Sequence, residues 1–356
     1  ARDTVRIRQP FYPRISGKDD FGEKIIVFAG DFRQTLPVVQ RGNEAQIVNE
    51  CIGNAEFWPR VRKMKLKRNM RVEAATGADR ADMIEFVKWQ MQIGNGLDEA
   101  GLPSDSVEIP LHMISPTQDD LIETIFPDPD NPGDDCAILA ARNIDCDAIN
   151  ETILSRVTGA ATELLSADKE GVARRTSDAN LHHNYPIEYL NSLSFSGLPP
   201  HKLRLKIGCI VMLLRNLDLQ HGLCNGVRLR VLEIGPRFLK CEIITGSNAG
   251  NIALLPRIAL NPDDDKLPFQ MQRLQFPIKL AYAITINKSQ GQSLSRVGVY
   301  LMQDVFGHGQ LYVAASRAIA SSRIKFFIAE NPEDPDGRSV KNVVYRQALL
   351  FSSIKL

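Results

Sequence analysis

Short, continuous apolar runs that close on glycine or polar residues are what most constrain how this 356-residue chain can fold. Lys24 to Gly30 reads KIIVFAG and gives way to Asp31. Ala137 to Ala141, Leu280 to Ile286, Arg296 to Tyr300 and Arg323 to Ile328 have the same character. A strand covered on both faces has no need to alternate, so such runs predict buried parallel strands feeding loops at their carboxyl ends. Ligands of open α/β sheets sit at those ends. Between the runs the spacing predicts helices over Glu44 to Cys51, Asp79 to Ile93 (stopping at Gly94 and Gly96), Asn143 to Arg156 and Gly309 to Ala318. Arg62 to Lys67 alternates, with Met64 and Leu66 on one side and Lys63, Lys65 and Lys67 on the other, which predicts a half-buried strand.

Two stretches depart from this texture. From Leu203 to about Leu255 short β-rich runs (Ile210 to Leu214, Val227 to Ile234, Leu239 to Ile244, Ile252 to Leu255) are punctuated by Gly222, Gly226, Gly235 and Gly246, which predicts a small antiparallel barrel inserted in an α/β domain. Residues 98 to 135 hold 11 acids and no Lys or Arg and are rich in Pro, Asp and Gly towards their end, which reads as an exposed insertion without regular structure. Residues 157 to 196 show little periodicity and read as a long connection.

A composition of 44% apolar and 24% charged residues can build cores and excludes a disordered, collagen-like or disulfide-stapled chain. No apolar run approaches the ~18 residues that span a bilayer, so a soluble protein without a membrane partner is expected. The six cysteines show neither CxxC nor Cys/His ligand spacing and are expected to be reduced thiols. His182-His183 and His308 likewise lack partner ligands at usable spacing for a metal. The formal net charge of +1 is an average of blocks: +5 over residues 1–97, −11 over 98–135, −3 over 136–200 and +10 over 201–356. That asymmetry permits a basic groove for nucleic acid, although a charge block is also how a solvated face looks.

Four polar clusters follow predicted strands or helices. Gly30-Asp31-Phe32-Arg33-Gln34-Thr35-Leu36-Pro37 could place the Gln34 amide near a phosphate or water, or be a surface loop. Asn69-Met70-Arg71 ends a stretch with seven Lys or Arg from Arg60 to Arg71 and no acid, which suits phosphate contact or a solvated strand edge. Thr285-Ile286-Asn287-Lys288-Ser289-Gln290-Gly291 crowds donors on a turn closed by glycine, the inventory for a phosphate backbone or for an ordinary capped helix start. Arg317, after Tyr312-Val313-Ala314-Ala315-Ser316, is either in a structural ion pair or a fork aimed at a phosphoryl group.

In this order the clusters resemble the later motifs of superfamily 1 helicases, particularly the PIF-type (petite integration frequency) DNA helicases of the Helitron-associated branch. GDFRQTLPV resembles the third motif, LKRNMR the fourth, AYAITINKSQGQSL the fifth and LYVAASRA the sixth. The stretch from NYPIEYL through GLCNGVRL is similar to the one leading into the family's inserted barrel, and the resemblance runs from about Gly22 to Ile328. It implies an α/β fold of RecA-like parallel sheets, the first domain partial (1–75), the second starting at 76–200 with the acidic insertion, interrupted by the barrel (201–275) and resuming at 276–330, with a tail at 331–356. It also implies an ATP-dependent 5′ to 3′ DNA helicase that uses Mg²⁺, binds single-stranded and duplex DNA, and serves replication, repair, recombination or telomere maintenance, in the nucleus. Gln34 would sense the γ-phosphate and Arg71 and Arg317 would be arginine fingers. Gly30, Asp31 and Gly291 would face the nucleotide side. Thr285, Lys288 and Ser289 would hold the DNA backbone.

Three positions depart from the family pattern. Ser293 stands where a carboxylate is common, Ala315 where leucine is usual, and Asn287 where many relatives have histidine. The larger departure is that the P-loop GxxxxGK[ST] and a strand-ending acidic pair are absent from the sequence; the sole Gly-Lys pair is Gly17-Lys18, with Tyr12 and Asp19 at the other P-loop positions, and the sole Asp-Glu pair is Asp98-Glu99. Those motifs lie upstream of the third motif in the family, and the sequence opens on Ala1, so a C-terminal portion that hydrolyses little ATP by itself is expected. A DNA-binding remnant of a transposon helicase and a structural partner subunit are the alternatives.

Overall fold

The computed structural model of the chain describes residues 26–171, 185–195, 197–262, 269–330 and 337–352. In chain order the elements begin with α1 (Glu44–Asn49), α2 (Met70–Ala74), α3 (Gly77–Asn95), β1 (Ser106–Glu108), α4 (Gln118–Ile125), β2 (Cys136–Ala140), α5 (Asn143–Arg156), β3 (Thr162–Leu165), β4 (Ala167–Gly171) and α6 (Ile187–Ser192). A β-rich stretch follows, with β5 (Lys202–Leu205), β6 (Ile210–Leu213), β7 (Arg228–Ile234), β8 (Phe238–Ile243), β9 (Ile252–Pro256), β10 (Ile258–Leu260), β11 (Gln270–Gln275), β12 (Ile278–Leu280) and β13 (Ala283–Thr285). The chain closes with β14 (Arg296–Leu301), α7 (Gln310–Ala315), β15 (Ile324–Ile328), β16 (Ser339–Lys341) and α8 (Arg346–Leu349).

Two compact units divide these elements: Ala1–Leu121 with Leu139–Arg142 and Thr285–Leu356 form one, and Ile122–Ile138 with Asn143–Ile284 the other. In the first unit β14 and β15 pair in parallel, Val297 against Ile324 through Leu301 against Ile328, with α7 in the connection between them. Both strands belong to a sheet ordered β13-β2-β14-β15. Residues 136–140 are buried throughout, the burial expected of a strand covered on both faces. The long helix α3 ends where Gly96 adopts φ +64°, a conformation open to glycine at no steric cost, and its amide caps the carbonyls of Gln92 and Ile93. Near α1 the rings of Phe28, Phe32, Phe57 and Trp58 gather, and Phe351 joins them with its ring 5.6 Å from that of Phe32.

The second unit is mostly antiparallel. Its largest sheet runs β12-β6-β7-β8-β9, beside a three-stranded β10-β11-β4 sheet and a β3-β5 pair. The Arg273 guanidinium on β11, 1% exposed, meets the Asp168 carboxylate of β4 at 2.7 Å and donates as well to the carbonyls of Pro199, Leu190 and Leu193. A buried cation with every side of its fork occupied escapes much of the desolvation cost that would otherwise oppose it, and this one ties α6 to the three-stranded sheet.

Several expectations are corrected. Of the Lys24 to Gly30 run, residues 26–30 are described and carry no strand, with Val27 84% exposed. Arg62 to Lys67 likewise carries no strand, and Leu66 is fully exposed. Among the described residues neither segment has a neighbouring strand, and without a ladder to take the amide and carbonyl bonds an apolar run is not a strand. The acidic stretch is ordered over β1 and α4 because Ile109, Met113, Leu121, Ile122, Ile125 and Phe126 are buried while the acids stay outside. Within the expected connection, β3, β4 and α6 are regular structure; residues 172–184 and Ser196, with His182 and His183, lie outside the described residues. All six cysteines are free, among the described residues no cluster of His, Cys, Asp or Glu fits a metal ion, and no described helix is long and apolar enough to cross a membrane.

Candidate functional site

All of the singled-out polar residues fall in the first unit. The loop after Gly30 is bent by its own Asp31, whose carboxylate accepts the Arg33 amide at 3.1 Å, while the Gln34 amide donates to the Asp31 carbonyl at 3.1 Å. Two anchors press the loop onto α7 and its lead-in, and a third ties it to the end of α3. The Tyr312 hydroxyl donates to Asp31 at 3.0 Å, His308 Nε2 bonds the Phe32 carbonyl at 2.8 Å, and the Arg33 side chain donates to Asn95 at 2.8 Å. Burial, with the neighbouring Asp31 charge and hydrogen bond adding to it, pushes the Tyr312 hydroxyl up to about 12, so it is a donor at all ordinary pH. Gly309, at φ +71°, makes this approach feasible: a Cβ there would lie 2.2 Å from the Arg33 carbonyl oxygen. Gly30 has no such requirement, because a Cβ added to it meets nothing within 4 Å.

The same loop reaches the donor-rich turn. Gln290 donates from Nε2 to the Gln34 side-chain carbonyl at 3.0 Å and accepts the Thr35 hydroxyl at 2.6 Å. Thr285 opens the turn at the end of β13, and the 3₁₀ helix Ile286–Ser289 carries Lys288. Ser289 is 0% exposed, and its hydroxyl donates to the Ile286 carbonyl at 2.7 Å, so in this conformation it shapes the turn; Thr285 and Lys288 are half-buried. Asn287 is exposed and accepts Nε2 of the buried Gln310 at 3.1 Å, while Gln310 Oε1 takes the amides of Phe306 and Gly307, each at 3.0 Å. Gly291 closes the turn at φ +82° with open space around it.

Arg317 is 6% exposed, and among the described residues no carboxylate pairs with it. Its guanidinium donates to the carbonyls of Val313 (2.9 Å), Ser289 (3.2 Å) and Gln292 (2.8 Å) and to the Ser316 hydroxyl (2.9 Å). It therefore clasps the turn on both sides of Gln290-Gly291. Burial lowers its pKa; Tyr312 opposes that shift and Arg71 adds to it. Arg71 enters from α2, where Asn69 caps the helix by accepting the Arg71 and Val72 amides, and its guanidinium donates to Ser293 Oγ at 3.4 Å. Two guanidinium groups thus reach adjacent residues, Gln292 and Ser293, and among the described residues neither is bonded to a carboxylate. Such a pair is unfavourable by itself and suits an anion.

The residues that sequence reasoning missed are supports. Gln310 and Tyr312 were visible only as members of an apolar helix, and His308 only as a histidine without partner ligands for a metal. Gln90, on the inner face of α3, donates to the carbonyls of Ala315 and Ala318 at 2.8 and 3.4 Å and holds the end of α7, where Ala315 is fully buried. The one available signal was a polar residue at a core-facing helical position, which for Gln90 coincides with the apolar spacing itself.

Residues 3–100 match the family described as PIF1-like helicase, and residues 188–234 match the 2B domain of the DNA helicase Pif1. The ATP-dependent DNA helicase PIF1 of Danio rerio is 28% identical over 314 residues, 84% of this chain and 40% of that protein. The Pif1 helicase of Candida albicans superposes with a TM-score of 0.56 at 21% identity, over 90% of this chain and 66% of its own. Pif1 from Bacteroides, solved in complex with ADP-AlF3 and ssDNA, gives 0.51 at 20% identity, over 88% and 68%. At those identities the structures speak to fold, and they bear out the α/β, RecA-like organisation with its antiparallel insertion. The chain spans about two fifths of the length of the curated relatives it matches.

Proposed function

We infer that the chain is a member of the PIF1-like helicase family, whose models match residues 3–100 and 188–234, and that it is the DNA-gripping, γ-phosphate-facing portion of an ATP-dependent DNA helicase. The observation that carries this reading is the clasp on the Thr285–Gly291 turn: Gln34 and Thr35 hold Gln290, and Arg317 holds the carbonyls of Ser289 and Gln292. In the proposal Thr285 and Lys288 hold the backbone of single-stranded DNA and Ser289 keeps the turn in shape. Gln34, Arg71 and Arg317 face the terminal phosphate of ATP, with Gly30, Asp31 and Gly291 on the nucleotide side. A change in Arg317 as it meets phosphate would loosen the carbonyls of the same turn that holds DNA, which is how hydrolysis and stepping would be linked.

The side chains present suit the outer end of a nucleotide, where cations and amides neutralise charge on a transferring phosphoryl group. No P-loop occurs in the 356 residues, Asp31 is engaged by Arg33 and Tyr312, and among the described residues no acidic cluster fits Mg²⁺. Binding of the inner phosphates and metal is therefore assigned to no residue of this chain. Movement 5′ to 3′, duplex as well as single-stranded DNA as partners, work in replication, repair, recombination or telomere maintenance, a nuclear location and descent from the Helitron-associated branch are carried over with the family and belong to the same proposal.

The test is a titration of the 356-residue chain with single-stranded DNA at rising salt, alongside its DNA-stimulated ATPase rate. Binding should weaken as salt rises, and Lys288→Ala should reduce the log–log slope by about 1. Hydrolysis should be negligible. Salt-independent or undetectable DNA binding overturns the DNA role, and brisk DNA-stimulated hydrolysis overturns the assignment of the phosphate cradle elsewhere.

A further inference from the structure

Phe306 is 60% exposed although the chain is fixed on both sides of it. Val305 is 2% exposed and His308 3%. His308 is bonded at both ring nitrogens, to the Phe32 carbonyl at 2.8 Å and to the Tyr345 amide at 2.7 Å, and the Gly309 amide donates to Val343 at 3.0 Å. A loop held this firmly could have turned an aromatic ring inward, where burial of its apolar surface is favourable. Here it presents the ring to solvent.

Its position is set relative to the Thr285–Gly291 turn by Gln310. The Phe306 amide donates to Gln310 Oε1 at 3.0 Å, and the Nε2 of that same amide group donates to Asn287 Oδ1 at 3.1 Å. One buried side chain therefore fixes the spacing between Phe306 and the residue next to Lys288. A phosphate-gripping turn with a rigid exposed aromatic beside it is the combination by which proteins hold single strands without reading sequence, since every base has a face to stack.

We propose that Phe306 is a stacking platform for a base of single-stranded DNA whose backbone runs along the Thr285–Gly291 turn. The inference rests on the reading of that turn as a DNA grip. Stacking is indifferent to base identity and requires a base, whereas the turn requires only phosphate, so the two contributions separate with a strand that lacks bases.

The experiment measures binding of labelled oligo-dT, and of the same backbone carrying abasic sites, by fluorescence anisotropy with the 356-residue chain and its Phe306→Ala, Phe306→Trp and Lys288→Ala variants. The native chain should prefer oligo-dT. Phe306→Ala should weaken oligo-dT binding by about tenfold, leave abasic binding and the salt slope unchanged, and so abolish the preference; Phe306→Trp should keep it. Lys288→Ala should weaken both probes. If Phe306→Ala alters both probes alike, or neither, while Lys288→Ala acts as expected, the stacking role is wrong and the grip stands. If the native chain binds neither probe, or Lys288→Ala changes neither, the grip itself fails and the stacking role falls with it.

Discussion

Gln34 and Gln290, 256 positions apart in the chain, exchange a side-chain hydrogen bond of 3.0 Å, and the carbonyl of Gln290 takes the Thr35 hydroxyl at 2.6 Å. This amide joint ties the loop after Gly30 to the turn after Thr285. Removing Gln290 with Gln290→Ala should cost about 1–2 kcal/mol of stability because it leaves two half-buried polar groups without their partner. In urea unfolding, a double-mutant cycle with Gln34→Ala should give coupling near 1 kcal/mol. Additive losses would mean that the joint contributes nothing.

Gly309 and Gly291 both adopt left-handed backbone, at φ +71° and +82°, yet only Gly309 has a neighbour where a side chain would begin. Gly291→Ala should cost about 1 kcal/mol, the price of an L-residue in that conformation. Gly309→Ala adds a collision with the Arg33 carbonyl and should cost about 3 kcal/mol or more. Thermal or urea denaturation ranks the two, and equal losses would contradict the packing of the loop on α7.

Arg317 donates to three carbonyls and one hydroxyl while nearly fully buried. Arg317→Ala should destabilise the chain by about 3 kcal/mol in the absence of any nucleotide, since it strands buried acceptors. Arg317→Lys should recover only part, because one ammonium cannot span the fork. A neutral outcome in urea unfolding would leave Arg317 with no part in holding the turn.

His308 accepts the Tyr345 amide at one ring nitrogen and donates to the Phe32 carbonyl from the other, an arrangement that only the neutral ring allows. Burial lowers its pKa from the ordinary 6.5; the Phe32 bond and the Asp31 charge oppose the shift without cancelling it. The folded state therefore binds this proton less readily than the unfolded state. Its contribution to stability is whole above the ordinary 6.5 and is lost as pH falls below it. His308→Gln, which keeps one donor and one acceptor, should flatten that part of the stability–pH curve, and an unchanged curve would assign the titration elsewhere.

Asp168 and Arg273 form a pair at 2.7 Å with side chains 0% and 1% exposed. Asp168→Ala should cost about 3–5 kcal/mol by leaving a buried cation unpaired. Equilibrium unfolding checks this, and a loss below about 1 kcal/mol would indicate that solvent reaches the guanidinium.

Much of the fold was legible residue by residue. β2 and the antiparallel strands from β6 to β9 fall where continuous or β-rich apolar runs placed them, and α5 spans Asn143–Arg156 as its spacing predicts. The failures share one cause. Lys24 to Gly30 and Arg62 to Lys67 carry strand patterns without a described neighbour, and a strand is a property of two segments. The acidic stretch misled in the opposite sense, because its few apolar residues, Ile109 to Phe126, found a core that its overall charge concealed.

By itself the sequence determined the inventory and its order: a glutamine after Gly-Asp, an arginine after Asn-Met, a donor-rich turn and an arginine closing an apolar helix. Those identities are local facts of chemistry and spacing, which also carry the family likeness. Only the tertiary structure decided which donors are engaged and which face outward. It engaged Arg317 with the carbonyls around the Gln290 turn, turned Ser289 inward and left Phe306 in solvent between two anchored neighbours. Burial and hydrogen-bond pairing depend on segments hundreds of residues apart meeting in space, and no periodicity along one segment records what will be packed against it.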